Sequence, residues 1–175
     1  MSDIELKATN LHWLEGSDPS ENCCLHGGIY LKIGSTVLSD GNDADWTVST
    51  TALNLLRTIK QNHAMDTGQP LIPHCGHTMW LVEGEPDGMY LGGCDIGIDW
   101  TIEHEGETVF HKLKGKTYVV TNNEVWRRTV CRFSDEVHEY FMTSWPKSIA
   151  DEENRKGFEF FMNLWHQYRA SASES

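Results

Sequence analysis

Polar and apolar positions alternate through much of the chain up to Val120, and then the period changes. The plainest alternation runs from Asp95 into Leu113. Ile96, Ile98, Trp100 and Ile102 fall on one side of an extended chain, and Asp95, Asp99 and Glu103 fall on the other. Side chains two residues apart share a face of a strand, so the pattern predicts a half-buried β-strand with an acidic outer face. Glu105-Gly106 predicts a tight turn, because Gly tolerates the positive φ of a short hairpin loop. Thr108 to Leu113 then returns as the partner strand. Further strands are predicted over Ile4 to Leu14, Ile29 to Ile33, Gly34 to Ser39, Thr78 to Glu83, Met89 to Leu91 and Thr117 to Val120. Between them, the Gly-, Pro-, Asp- and Asn-rich segments around 15–22, 40–45, 66–70 and 84–88 are loops by composition.

Two regions carry the helical period. Leu53, Leu56 and Ile59 recur at spacings of three after the cap-forming Thr47, Ser49 and Thr50, which predicts an amphipathic helix to about His63. Beyond Asn123, expected as an N-cap, the apolar stripe is Trp126, Val130, Phe133, Val137, Tyr140, Phe141 and Trp145. Ser134-Asp135-Glu136 offers a restart, so a break near Phe133 is one expectation, and Pro146 ends the segment. A last helix starts near Asp151, with Phe158, Phe161, Leu164, Trp165 and Tyr168 on its buried face. The sum is an α+β fold. One mostly antiparallel β-sheet is expected, with one face covered by the mid-chain helix and the two C-terminal helices. Residues 1–169 read as a single domain and 170–175 as a disordered tail.

The chain has 175 residues, enough to bury a substantial core in one domain. No apolar run approaches the length of a membrane span, and the acidic N-terminus lacks the profile of a secretion signal. Five cysteines, an odd number, do not suggest a disulfide framework, so reduced thiols in the cytoplasm are expected. The net charge of −12 is unevenly spread. Residues 1–110 hold 17 Asp and Glu against four Lys and Arg, a charge of −13. Phosphates and anionic membranes would be repelled, so neither nucleic acid nor membrane is an expected partner. A cationic protein would be drawn in.

Catalytic motifs are absent. There is no nucleophile elbow, phosphate loop or dinucleotide fingerprint. His74-Cys75-Gly76-His77, with Cys23-Cys24-Leu25-His26 upstream, is the most metal-like cluster, since Cys and His at short spacing ligate zinc. It lacks the paired spacing of a zinc module, and no metal or cofactor is expected. A thiol nucleophile at Cys75 or Cys94 would need an electropositive setting, and the surroundings are acidic. Asp95 and Asp99 can be read as a carboxylate dyad, but an open acidic row is more often a solvated face. Most tryptophans fit core stripes; Trp13 and Trp46 do not, and are expected as exposed contact residues.

Several segments together resemble a known family. They are Gly27-Gly28-Ile29-Tyr30-Leu31, Trp46-Thr47-Val48-Ser49 with Leu53, Leu56 and Arg57, Pro73-His74-Cys75-Gly76-His77, and Gly93-Cys94-Asp95-Ile96-Gly97-Ile98-Asp99-Trp100. Trp145-Pro146-Lys147 and Gly157-Phe158-Glu159-Phe160-Phe161 complete the set. The chain is similar in these to immunity proteins encoded beside bacterial polymorphic and contact-dependent growth-inhibition toxins. The resemblance implies a cytoplasmic, non-catalytic inhibitor that binds its cognate toxin 1:1 and covers the toxin's active site. Such toxins are often nucleases, with an RNase expected ahead of a DNase, and an acidic inhibitor mimics their phosphate substrate. The family shares no catalytic residues, and its contact residues vary between members. From charge alone, the expected interface is Asp40, Asp43, Asp45, Glu83, Glu85, Asp87, Asp95, Asp99, Glu103 and Glu105. The alternative is a Cys/His metal-binding or thiol enzyme using Cys23, Cys24, His26, His74, Cys75 and His77.

Overall fold

A short helix forms the centre of the molecule. In the computed structural model, which describes residues 4–43, 45–65, 68–74, 78–93, 95–115 and 117–173, this is α1, Val48–Arg57. Every residue from Val48 to Leu56 is buried, so the helix is enclosed on all sides and is not laid on a surface. Its buried polar groups are tied to neighbouring chain. Ser49 Oγ accepts from Leu25 N at 3.0 Å, and Asn54 Nδ2 donates to Pro70 O at 3.3 Å. Thr47 makes no side-chain cap. The first amides of the helix, Val48 N and Ser49 N, donate instead to Leu25 O at 2.9 and 3.3 Å.

The helix stops at Arg57, short of His63. Thr58 O, left free by the helix end, accepts from His104 Nε2 at 2.9 Å and from Trp126 Nε1 at 3.3 Å. His63 is in extended pairing with Ile102, with backbone hydrogen bonds of 2.9 and 2.8 Å in the two directions. Helix and ladder compete for the same backbone groups, and tertiary pairing wins.

The fold is α+β, with antiparallel pairing and three helices, one mid-chain and two C-terminal. The strands do not form the single sheet the alternation suggests. β1 (Ile4–His12), β2 (His26–Ile33), β3 (Thr36–Asp40) and β4 (Trp46–Thr47) make one sheet centred on β2. Ile29, Leu31 and Ile33 are fully buried on its inner face, as their spacing requires. β9 (Thr101–Glu105), β10 (Thr108–Leu113) and β11 (Thr117–Asn122) make a second sheet. Two ribbons stand apart, β5 (Ile72–Pro73) with β8 (Gly97–Ile98) and β6 (Thr78–Leu81) with β7 (Met89–Gly92).

The long acidic strand is therefore cut in two. Gly97 pairs with Pro73 so closely that a Cβ there would overlap Ile72 O and the Pro70 ring. Pairing with β5 pulls β8 away from the sheet that holds β9. Trp100 and Ile102 are buried as expected, whereas Ile96 is 64% exposed.

α2, Asn123–Met142, runs unbroken through Phe133; Ser134 Oγ bonds back to Cys131 O at 3.0 Å and causes no interruption. Its N-cap is Asn122, one residue earlier than expected, accepting from Val125 N. α3, Glu152–Ser171, is capped by Asp151. It extends into the segment expected as a tail, and Ala172 is buried, its carbonyl accepting from Arg127 at 2.9 Å. Gly157 lets α3 touch β6, since a Cβ there would overlap Met79 O. Trp100, Trp126, Phe133, Phe141, Phe158, Phe161 and Trp165 fill the core between these layers.

Neither Trp13 nor Trp46 is a free contact residue. Trp46 is buried in β4, and Trp13 packs edge-on to Phe141 at 5.1 Å. Lys147 covers the Trp13 ring at 3.8 Å and donates to Pro19 O and Asn22 O at 2.9 and 2.7 Å. That lysine fastens the 13–22 loop to the helical layer. No helix among the described residues is long and apolar enough to cross a membrane.

Candidate functional site

The ten acidic residues singled out by charge separate into three environments. Asp87, Asp99 and Glu103 are engaged within the protein. Asp87 receives a two-pronged ion pair from Arg57, 2.7 Å from Nε and 3.0 Å from the guanidinium terminus, and a third bond from Tyr168 Oη at 3.0 Å. Asp99 Oδ1 lies 2.7 Å from His63 Nε2 and accepts from Leu71 N at 3.2 Å. Glu103 pairs with Lys112 across β9 and β10. These carboxylates organise their own neighbourhoods and offer little charge to an outside partner. Glu105 is exposed at the β9–β10 turn, and Glu83 and Glu85 at the β6–β7 turn.

Asp40, Asp43, Asp45 and Asp95 form the third group. All four are exposed, and among the described residues none pairs with a lysine or arginine. Asp40 ends β3, and Asp43 and Asp45 lie on the loop between β3 and β4, which crosses the face of β2. Gly28 permits the crossing, because a Cβ at that position would overlap Thr9 Oγ1 and Gly41 O. Thr9 Oγ1 then ties the loop down with a 2.7 Å bond to Gly41 O. Gly41 takes φ +83°, a conformation that L residues rarely adopt. Asp40 accepts from Asn42 N at 3.0 Å and Asp43 from Asp45 N at 3.1 Å, so the loop is braced by its own carboxylates. The Asn42 bonds hold the Asp40 carboxyl below the usual carboxylate range.

His74 joins this end of the molecule. Its ring nitrogen and the carboxylate oxygens of Asp43 and Asp45 all lie within 4.8 Å of one another. Trp46 packs edge-on to the His74 ring at 5.6 Å, and His74 N donates to Ile96 O at 3.0 Å. That bond brings the Asp95–Ile96 segment to the same end. Asp43, Asp45 and His74 are the described residues placed to hold a metal. Cys75, His77 and Cys94, singled out in the sequence, lie outside the described residues.

The apolar run over Thr78 to Glu83 predicts a strand but not the aromatic surface that the β6–β7 ribbon presents. Only Met79 of that strand turns inward. Trp80, Leu81, Val82 and Tyr90 are exposed, and the Trp80 and Tyr90 rings stack at 5.9 Å across the two strands. The acidic Glu83 and Glu85 in the adjoining turn were the available signal that this strand edges into solvent.

Cys23 and Cys24, the described thiols of the Cys/His alternative, are poorly placed for nucleophilic chemistry. Burial pushes the Cys23 thiol up, against a smaller opposing pull from Lys147, and burial raises Cys131 as well. Cys24 is buried. A separate cleft of about 300 Å³ opens beside the end of α1, lined by Arg57, His63, Gln69, Asp87 and Tyr90 among others. His63 of its lining is oriented by Asp99, as a base by a carboxylate, but there is no Ser or Cys among its described lining residues. No protein-family model, curated protein or solved structure matches the chain.

Proposed function

We propose that this chain is an immunity protein that binds a cationic toxin domain, a nuclease, and blocks its active site without catalysing a reaction. The observation that carries the reading is the exposed acidic end made by Asp40, Asp43, Asp45 and Asp95, without a Lys or Arg partner among the described residues, on a chain with a net charge of −12. Carboxylates on a braced loop present negative charge without first being freed from internal partners. A nuclease presents cations where phosphate binds, so such a loop suits its active-site mouth. The exposed Ile96, at the same end, and the stacked Trp80–Tyr90 pair, on a ribbon whose base at Thr78 and Gly92 lies a few residues from His74 and Asp95, supply apolar anchor area. Aromatic anchors beside a charged rim are the usual composition of a strong interface. The resemblance to immunity proteins supports the same reading.

The test is to identify the gene directly upstream, co-express its product with this chain, and follow co-purification and nuclease inhibition. A 1:1 complex that suppresses nuclease activity is expected. Failure to co-purify and to protect cells from that gene product would overturn the proposal.

A further inference from the structure

The loop that presents the acidic residues also assembles a mixed nitrogen and oxygen ligand set. We propose that Asp43, Asp45 and His74 bind a divalent transition metal of the zinc class, with the buried His26 beside them. The three ligand atoms already lie mutually within 4.8 Å, so a small inward closure brings them onto one ion. Two carboxylates and an imidazole suit zinc, manganese or cobalt; calcium and magnesium sites are built from oxygen alone.

The second, independent observation is His26. Its side chain is buried, the residue only 7% exposed, and its Nε2 has no hydrogen-bond partner. A buried ring nitrogen without a partner is costly, and a native structure usually has a use for it. His26 pairs with Thr47 across the β2–β4 ladder, two residues along the chain from Asp45. Asp45 is also a hydrogen-bonding neighbour of the ring through its backbone, and His74 is a further charge neighbour. His12 packs on the other flank, with ring centres 6.3 Å apart. Trp46 braces His74 from the side, as an outer shell does in a metal site.

The inference concerns the isolated chain and does not depend on a toxin partner. It is tested by titrating the purified, reduced protein with zinc and with cobalt, using calorimetry and the visible spectrum of bound cobalt. One ion per chain is expected, with cobalt absorption in the range of a nitrogen and oxygen site. Asp43→Asn with Asp45→Asn, and separately His74→Ala, should weaken binding by about tenfold or more. These residues are exposed or half-buried, so the variants keep the fold, which circular dichroism checks. Absence of stoichiometric binding, or binding that the Asp43, Asp45 and His74 variants leave intact, overturns the assignment. Calcium or magnesium bound as tightly as zinc overturns it too.

Discussion

His111 shows how one buried residue sets a pH limit. It is fully buried, and Trp100 Nε1 donates to its Nδ1 at 3.2 Å, so that nitrogen carries no proton. Nε2 is then the protonated nitrogen and donates to Thr121 Oγ1 at 3.2 Å. A second proton would face the indole N–H directly. Burial, aided by His104, pushes the His111 pKa down from 6.5 to about 4. The unfolded chain takes up that proton below pH 6.5, while the folded one resists until about pH 4. Stability from this residue is therefore full above pH 6.5 and lost as pH falls toward 4, by about 3 kcal/mol. Urea unfolding at pH 7 and pH 4.5 should show this fall in the native protein and a flatter profile in His111→Gln. Asp87 makes a second residue-scale case. Replacing it with Ala strands the Arg57 guanidinium and the Tyr168 hydroxyl in a half-buried site. A loss of about 3 kcal/mol in urea unfolding is expected, which would mark Asp87 as a stabilising residue. Tyr168→Phe should cost about 1 kcal/mol.

Among the elements, α3 and β6 meet through a glycine. Helix propensity alone favours Ala over Gly at position 157 by about 1 kcal/mol. The added methyl would overlap a backbone carbonyl, Met79 O, which cannot swing aside as a side-chain tip can. Overpacking of about 1–3 kcal/mol outweighs the propensity gain, so Gly157→Ala should lower the unfolding midpoint. A raised midpoint would mean that α3 and β6 do not touch in solution. Much at this scale was legible beforehand. The stripes of α2 and α3 and the inner face of β2 follow from period, because each lies against one broad apolar layer; the exception is Trp145, expected on the α2 stripe, which lies beyond the helix end at Met142 and is 49% exposed. The end of α1 was not legible. Leu56 and Ile59 continue the helical spacing, but His63 is claimed by Ile102 and Thr58 O by His104 and Trp126. Those partners come from distant parts of the chain and leave no mark in the local pattern.

For the molecule as a whole, charge placement matters beyond charge total. Asp43→Lys with Asp45→Lys should slow association with a cationic nuclease by about tenfold or more at low salt, and flatten its salt dependence. Glu136→Lys with Glu139→Lys, the same charge change on an exposed face of α2, should slow it much less. Equal effects in stopped-flow measurements would mean that total charge alone steers the encounter and the acidic end has no special role.

The sequence by itself determined the α+β class, the hairpin at Gly106, the helical stripes and the acidic bias of residues 1–110. Period, turn chemistry and charge are properties of neighbouring residues, so they survive without knowledge of the fold. Only tertiary structure decided which carboxylates were available. Asp87 and Asp99 look in the sequence like Asp43 and Asp45, yet the first two meet Arg57 and His63 inside the molecule. The other two are lifted clear by a loop that crosses Gly28 and are set beside His74. Which opposite charge folds back onto a carboxylate is a long-range contact, and no local pattern encodes it.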